Sequence, residues 1–198
     1  PELVMNGTYI ELGDPPTLAA AKYEYLERME WAFELLSVEV NRLVAEGKPA
    51  DALKVATSGL YFARQLADRE SAHEKTFGMV AMVAFLELMR DVAYRDSRLG
   101  SPKLTPDQLK DAIKGITERD LLSVDRIAFA NYDRIAAEQV ASRIFLSSGK
   151  PNPSTFSATM ARIASGDRPL RLFSEAGHWD QAVSQHKDGA GTKAMITN

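Results

Sequence analysis

Two of the three histidines in this 198-residue chain fall in one spacing: Glu70-Ser-Ala-His73 and Glu175-Ala-Gly-His178. Residues three apart share a helix face, so each pair could aim a carboxylate and an imidazole at one point. Two such pairs, with a glutamate from each of two further helices, form the donor set of a di-iron or di-manganese site in a bundle core. Glu34 (or Glu30) and Glu138 stand in the right order for that role. Three features oppose it. Ser71-Ala-His-Glu74 reads as a capping box that would break the helix between Glu70 and His73. Glu175 and His178 lie in a stretch flanked by Gly and Pro, and a fourth long helix is missing. The expectation is therefore no metal and no cofactor. Glu70 and Glu74 then serve as carboxylates near a helix start, and His73 and His178 as half-exposed surface residues.

Other catalytic chemistry is thinly represented. There is no cysteine, hence no disulfide, thiol nucleophile or thiolate ligand. Ser147-Ser-Gly-Lys150 and Ser184-Gln-His-Lys187 match Ser-x-x-Lys but lack the companion motifs of the penicillin-binding enzymes. A phosphate loop, a nucleophile elbow and a G-x-G-x-x-G dinucleotide fingerprint are all absent from the sequence. No catalytic residue is assigned. With 24 Lys and Arg against 27 Asp and Glu, the net charge of -3 gives no nucleic-acid footprint. No apolar run reaches the roughly 20 residues of a transmembrane segment. What remains is a contact surface. Tyr23, Tyr25 and Trp31 crowd one stretch beside Glu27 and Glu34, with Glu24 and Glu30 extending the acidic row. Positions 23 and 25 point apart on a helix, so part of this aromatic set must face outward. Exposed aromatics beside acids make a protein-docking face. The competing use is a contact with the chain's own N-terminal arm.

The elements that would position these residues are all helical. Leu26, Met29, Phe33, Leu36, Val40 and Leu43 recur at spacings of three and four, which predicts a helix over 17–46 capped by Thr17 and stopped by Gly47. Residues 50–95 are helical in composition throughout. One helix of that length would reach about 70 Å, so the expected break at Ser71 gives helices over 50–68 and 71–96. The second should bury Phe77, Val80, Ala81, Ala84, Phe85 and Leu88. Thr105-Pro106-Asp107 starts a short amphipathic helix carrying Leu109, Ile113 and Ile116. A long helix is then expected over 118–146, its stripe Leu121, Val124, Ala128, Ile135 and Phe145 sharing a register with Asn131, Glu138 and Ser142. Short helical candidates follow at 154–164 and 169–186. Short loops between helices imply antiparallel neighbours. The fold class is all-α, built of antiparallel helical hairpins. It divides into an extended arm (1–16), a helical domain (17–146), and a loop, short helices and tail (147–198). The tail is net basic and the rest net acidic, which suits a tail lying on an acidic neighbour, a second copy included.

The stretch Leu60-Tyr-Phe-Ala-Arg-Gln-Leu-Ala-Asp-Arg-Glu70, the apolar helix after it, and Leu104-Thr-Pro-Asp-Gln-Leu109 resemble exported bacterial members of the tetratricopeptide-like helical-hairpin class. The resemblance spans about 17–146, without the strict 34-residue period. It implies a non-enzymatic scaffold or adaptor subunit that binds other protein subunits, itself among them, within a larger bacterial assembly. The exported relatives lean towards the cell envelope, whereas Pro1 at the start leans towards the cytoplasm. The order Glu, Glu-x-x-His, Glu, Glu-x-x-His resembles the ferritin-like di-iron family. That alternative implies an oxidase or metal store with Glu34, Glu70, His73, Glu138, Glu175 and His178 as ligands.

Overall fold

The computed structural model describes residues 16–123, 131–146 and 148–150, together with Leu12, Asn152, Thr155, Ala158 and Thr159. Among the described residues there are five α-helices, one 3-10 turn and no extended strand. None of these helices is long and apolar enough to cross a membrane. Chain contacts group the described residues into two compact units, one over 25–123 and one comprising 16–24 with the residues from 131 onward. Most of the expected arm, the expected 169–186 helix and the tail lie outside the described residues, as do all but a few positions of the expected 154–164 helix.

In the first unit, punctuation residues set the helix ends. Helix α1 spans Tyr25–Ala45. It closes where Gly47, at φ 70°, lets its amide reach the Val44 carbonyl and the Lys48 amide the Leu43 carbonyl, both at 2.9 Å. This pair of bonds is a Schellman closure. Pro49 opens α2 (Pro49–Ala67), where its missing N–H costs nothing. Helix α3 (Ala72–Ser97) begins at Ser71, whose hydroxyl accepts the His73 amide at 3.2 Å. Helix α4 (Pro106–Thr117) carries a full capping box, with the Gln108 amide donating to Thr105 Oγ1 and the Thr105 amide to Gln108 Oε1. The α3–α4 loop is pinned by buried Asp96, which accepts the amides of Lys103 and Leu104.

The core forms where α1 and α3 both pack on α2. Phe33 is central, its ring 5.6 Å from Phe62, 5.6 Å from Phe85 and 6.0 Å from Phe77. Leu26, Val40 and Leu43 of α1, Ala56, Leu60 and Ala63 of α2, and Ala81, Phe85 and Val92 of α3 are buried around it. Tyr25 donates its hydroxyl to Glu74 Oε1 at the helix starts. Arg95 donates to Asn41 Oδ1 near the helix ends. Thus α1 and α3 run the same way and α2 runs against both, which is two successive hairpins. Backbones touch at Gly78, where an added Cβ would stand 2.3 Å from the Ala67 nitrogen.

In the second unit, 16–24 packs on α5 (Asn131–Ile144). Leu18 donates its amide to Gln139 Oε1 at 2.8 Å, and Arg143 donates to the Pro16 carbonyl and to Thr17 Oγ1.

Several expectations need correction. No helix starts at Thr17, because its hydroxyl is taken by Arg143 and the Leu18 amide by Gln139. Only a 3-10 turn, Leu18–Ala20, forms there, and α1 starts at Tyr25. The helix expected from residue 118 does not run there. Asp120 sits at φ 50°, the Leu121 amide bonds back to Ile116 O, and the Asp120 amide to Thr117 O. This is another Schellman closure, with Asp taking the left-handed position. Arg64 then captures the Leu121 and Ser123 carbonyls at 2.9 Å each. Ser71 is capped by the amide of His73 rather than that of Glu74. On α3, Val80 and Ala84 are exposed, while Glu74, Lys75, Gly78 and Asp96 take the inner side. On α5, the buried set is Ala136, Val140, Ala141 and Ile144, which turns Asn131, Ile135, Glu138 and Ser142 outward.

Candidate functional site: the outward face of α1

Helix α1 carries two apolar stripes on opposite sides. The inner one, Leu26, Phe33, Val40 and Leu43, is consumed by the core. The outer one is Trp31, Leu35 and Val38, spaced four and three apart and so aligned along one face. These side chains are 59%, 69% and 64% exposed. Leu35 and Val38 were not among the residues expected at this face. The signal that finds them is a second i, i+4, i+7 apolar set, about half a turn away from the first.

Of the expected contact residues, Glu27, Trp31 and Glu34 are exposed on α1. Glu27 lies in the first turn of α1, where the helix dipole favours a carboxylate. Tyr25 is half-buried and its hydroxyl is engaged by the buried Glu74, so it ties α1 to α3. Tyr23 is half-buried in the second unit. The α1 face therefore consists of Glu27, Trp31 and Glu34 with Leu35 and Val38.

Charge on α1 is divided along its length. Near the C-terminal end, Arg42 is held between Glu39 and Glu46, and Lys48 also reaches Glu46 at 2.9 Å. The hydrogen bond from Arg42 holds the Glu39 carboxyl below the usual carboxylate range, and that from Lys48 does the same for Glu46. Beside the apolar stripe, Glu27 and Glu34 have no ion pair among the described residues.

The metal-ligand set expected under the alternative reading is distributed as follows. Glu34 is exposed on α1, Glu70 is exposed in the turn before α3, and His73 is half-buried in the first turn of α3. Glu138 is exposed on α5 and paired with Arg134 at 2.6 Å. Glu175 and His178 lie outside the described residues. Among the described residues no three His, Asp or Glu side chains converge to hold a metal ion.

A cavity of about 430 Å³ lies between α2 and α4, against Leu53, Lys54, Thr57, Ser58, Gln108 and Asp111. Its polar groups are largely engaged at home. Thr57 and Ser58 donate to the carbonyls of Leu53 and Lys54, Lys54 pairs with Asp51, and Gln108 closes its capping box. This set supplies no nucleophile beside a base, the arrangement that covalent catalysis needs.

What the α1 face offers chemically is burial. A fully buried Val, Leu or aromatic side chain contributes about 1.5–3 kcal/mol. With about two thirds of each still exposed, the stripe holds about 4 kcal/mol in reserve. Micromolar binding takes about 8 kcal/mol, so a partner must use more than these three residues. Searches against protein-family models, curated proteins and solved structures return no match to the chain.

Proposed function

We propose that this chain is a non-enzymatic structural or adaptor subunit, a helical-hairpin module of the tetratricopeptide-like kind, that docks another protein on the outward face of α1. One observation carries the reading: α1 has an apolar stripe facing away from a core that its other stripe already completes. Single exposed apolar residues are ordinary, whereas an aligned set flanked by charge marks an interaction surface. The successive hairpins α1–α2 and α2–α3 supply a rigid base for it. The α2–α4 cavity does not compete for this role, because its polar groups mostly serve their own backbone.

The test is recovery of a stoichiometric partner from cells expressing the full chain at native level. Leu35→Glu and Trp31→Ala should each remove one defined protein from the recovered complex, and Lys110→Glu on α4 should not. Recovery of the same protein in equal amount by all three variants would refute the reading.

A further inference from the structure

We infer that the occupant of the α1 face is a basic amphipathic helix, its apolar side on Trp31, Leu35 and Val38 and its lysines or arginines along Glu27, Glu30 and Glu34. The inference rests on the docking reading above and adds the chemistry of the partner. The three glutamates follow one flank of the apolar stripe at spacings of three and four, so acid and apolar rows run side by side along the helix. A partner helix lying along the stripe meets both rows at its own repeat. Of these three glutamates, Glu27 and Glu34 are exposed without an ion pair among the described residues. Towards the C-terminal end, Glu39 and Glu46 are already matched by Arg42 and Lys48. Arg28 is the one cation among the exposed N-terminal residues of α1, so the stretch 27–34 stays net acidic. A second copy is a poorer occupant. Antiparallel two-fold pairing centred on Leu35 would set Arg28 of each copy level with Arg42 of the other, and like charges brought together oppose association.

The probes are three synthetic peptides of about 20 residues, identical in their Leu and Val stripe and flanked by Lys, Gln or Glu. Binding to the full chain is read by anisotropy of labelled peptide. The Lys peptide should bind about tenfold tighter than the Gln peptide at low salt, with the gap closing at about 0.5 M salt. The double variant Glu27→Gln/Glu34→Gln should remove about tenfold from the Lys peptide and leave the Gln peptide unchanged. Both substitutions are on exposed carboxylates, and an unaltered far-ultraviolet circular dichroism spectrum verifies the fold. Leu35→Glu should remove binding of all three peptides. If the Gln or Glu peptide binds as tightly as the Lys peptide and still requires Leu35, the basic partner falls and the docking face stands. A dimer of the chain that Leu35→Glu dissolves, with no peptide bound, would install the second copy and overturn the inference. Peptide binding and self-association both indifferent to Leu35 would overturn the docking face as well.

Discussion

Replacing Gly78 by alanine sets two effects of opposite sign against each other. Within a helix the change gains about 1 kcal/mol of propensity. Packing works the other way. The new Cβ would lie 2.3 Å from the Ala67 nitrogen, 2.8 Å from the Ala63 oxygen and 2.8 Å from the Leu66 carbonyl carbon. All three are backbone atoms of α2 and none can swing aside, so α2 and α3 must part by about 1 Å to restore ordinary contact. Overpacking of this kind costs about 1–3 kcal/mol. The separation also stretches the bond from Lys75 Nζ to the Ala67 carbonyl, now 2.8 Å, adding about 1 kcal/mol. The net expectation for Gly78→Ala is a loss of about 2 kcal/mol. Gly115→Ala is the matched control. There the nearest atom is Thr57 Cγ2 at 3.5 Å, an ordinary contact, so propensity should win and α4 should gain about 0.5–1 kcal/mol. Urea unfolding followed at 222 nm reads both. A Gly78→Ala protein as stable as the Gly115→Ala one would refute the close α2–α3 approach.

Three further outcomes follow from particular contacts. Arg64→Ala should cost about 3–5 kcal/mol, because it strands the buried carbonyl of Leu121 and that of Ser123 and removes the ion pair with Asp68. Arg64→Met should cost less, since its side chain refills the buried site of a guanidinium whose Nη2 has no acceptor among the described residues; equal losses in chemical denaturation would contradict this. Leu35→Glu should leave the unfolding free energy within about 0.5 kcal/mol of the parent, and a larger drop would mean that Leu35 serves the core. For Glu39 and Glu46, whose carboxyls are held low in the folded chain, the contribution to stability is complete above the ordinary carboxylate range and is lost as pH falls through their depressed values. Carboxyl titration by NMR should show both below ordinary glutamates, with Arg42→Ala returning Glu39 to the usual range; an unshifted Glu39 in the parent protein would contradict the ion pair.

Helix ends were legible where the signal is local. Gly47, Pro49, Ser71, Thr105 and Pro106 each act through their own backbone, and each marks an end in the folded chain. The failures arise where a distant residue decides. Thr17 is a fair cap by type, yet its hydroxyl is claimed by Arg143, far along the sequence. Asp120 carries the left-handed closure that a glycine would have announced. On α3 the inner side includes Glu74, Lys75, Gly78 and Asp96, so a stripe drawn through apolar residues alone turned towards Val80 and Ala84. On α5 small alanines at 136 and 141 pack inside and carry too little apolar weight to set the register against Ile135. At the site, the crowding of aromatics made Trp31 visible. Leu35 and Val38 were masked because the inner stripe of α1 alone is enough to account for a core-packed helix.

The central claim is that the outer stripe of α1 is covered by another protein. A photoreactive residue placed at position 35 of the full chain, expressed at native level, tests it most directly when compared with the same residue at position 113, where Ile113 is also well exposed on α4. Irradiation in the cell should link position 35 to one protein of defined mass and leave position 113 unlinked. Linkage at 113 with none at 35 would contradict the claim and move the contact surface to α4.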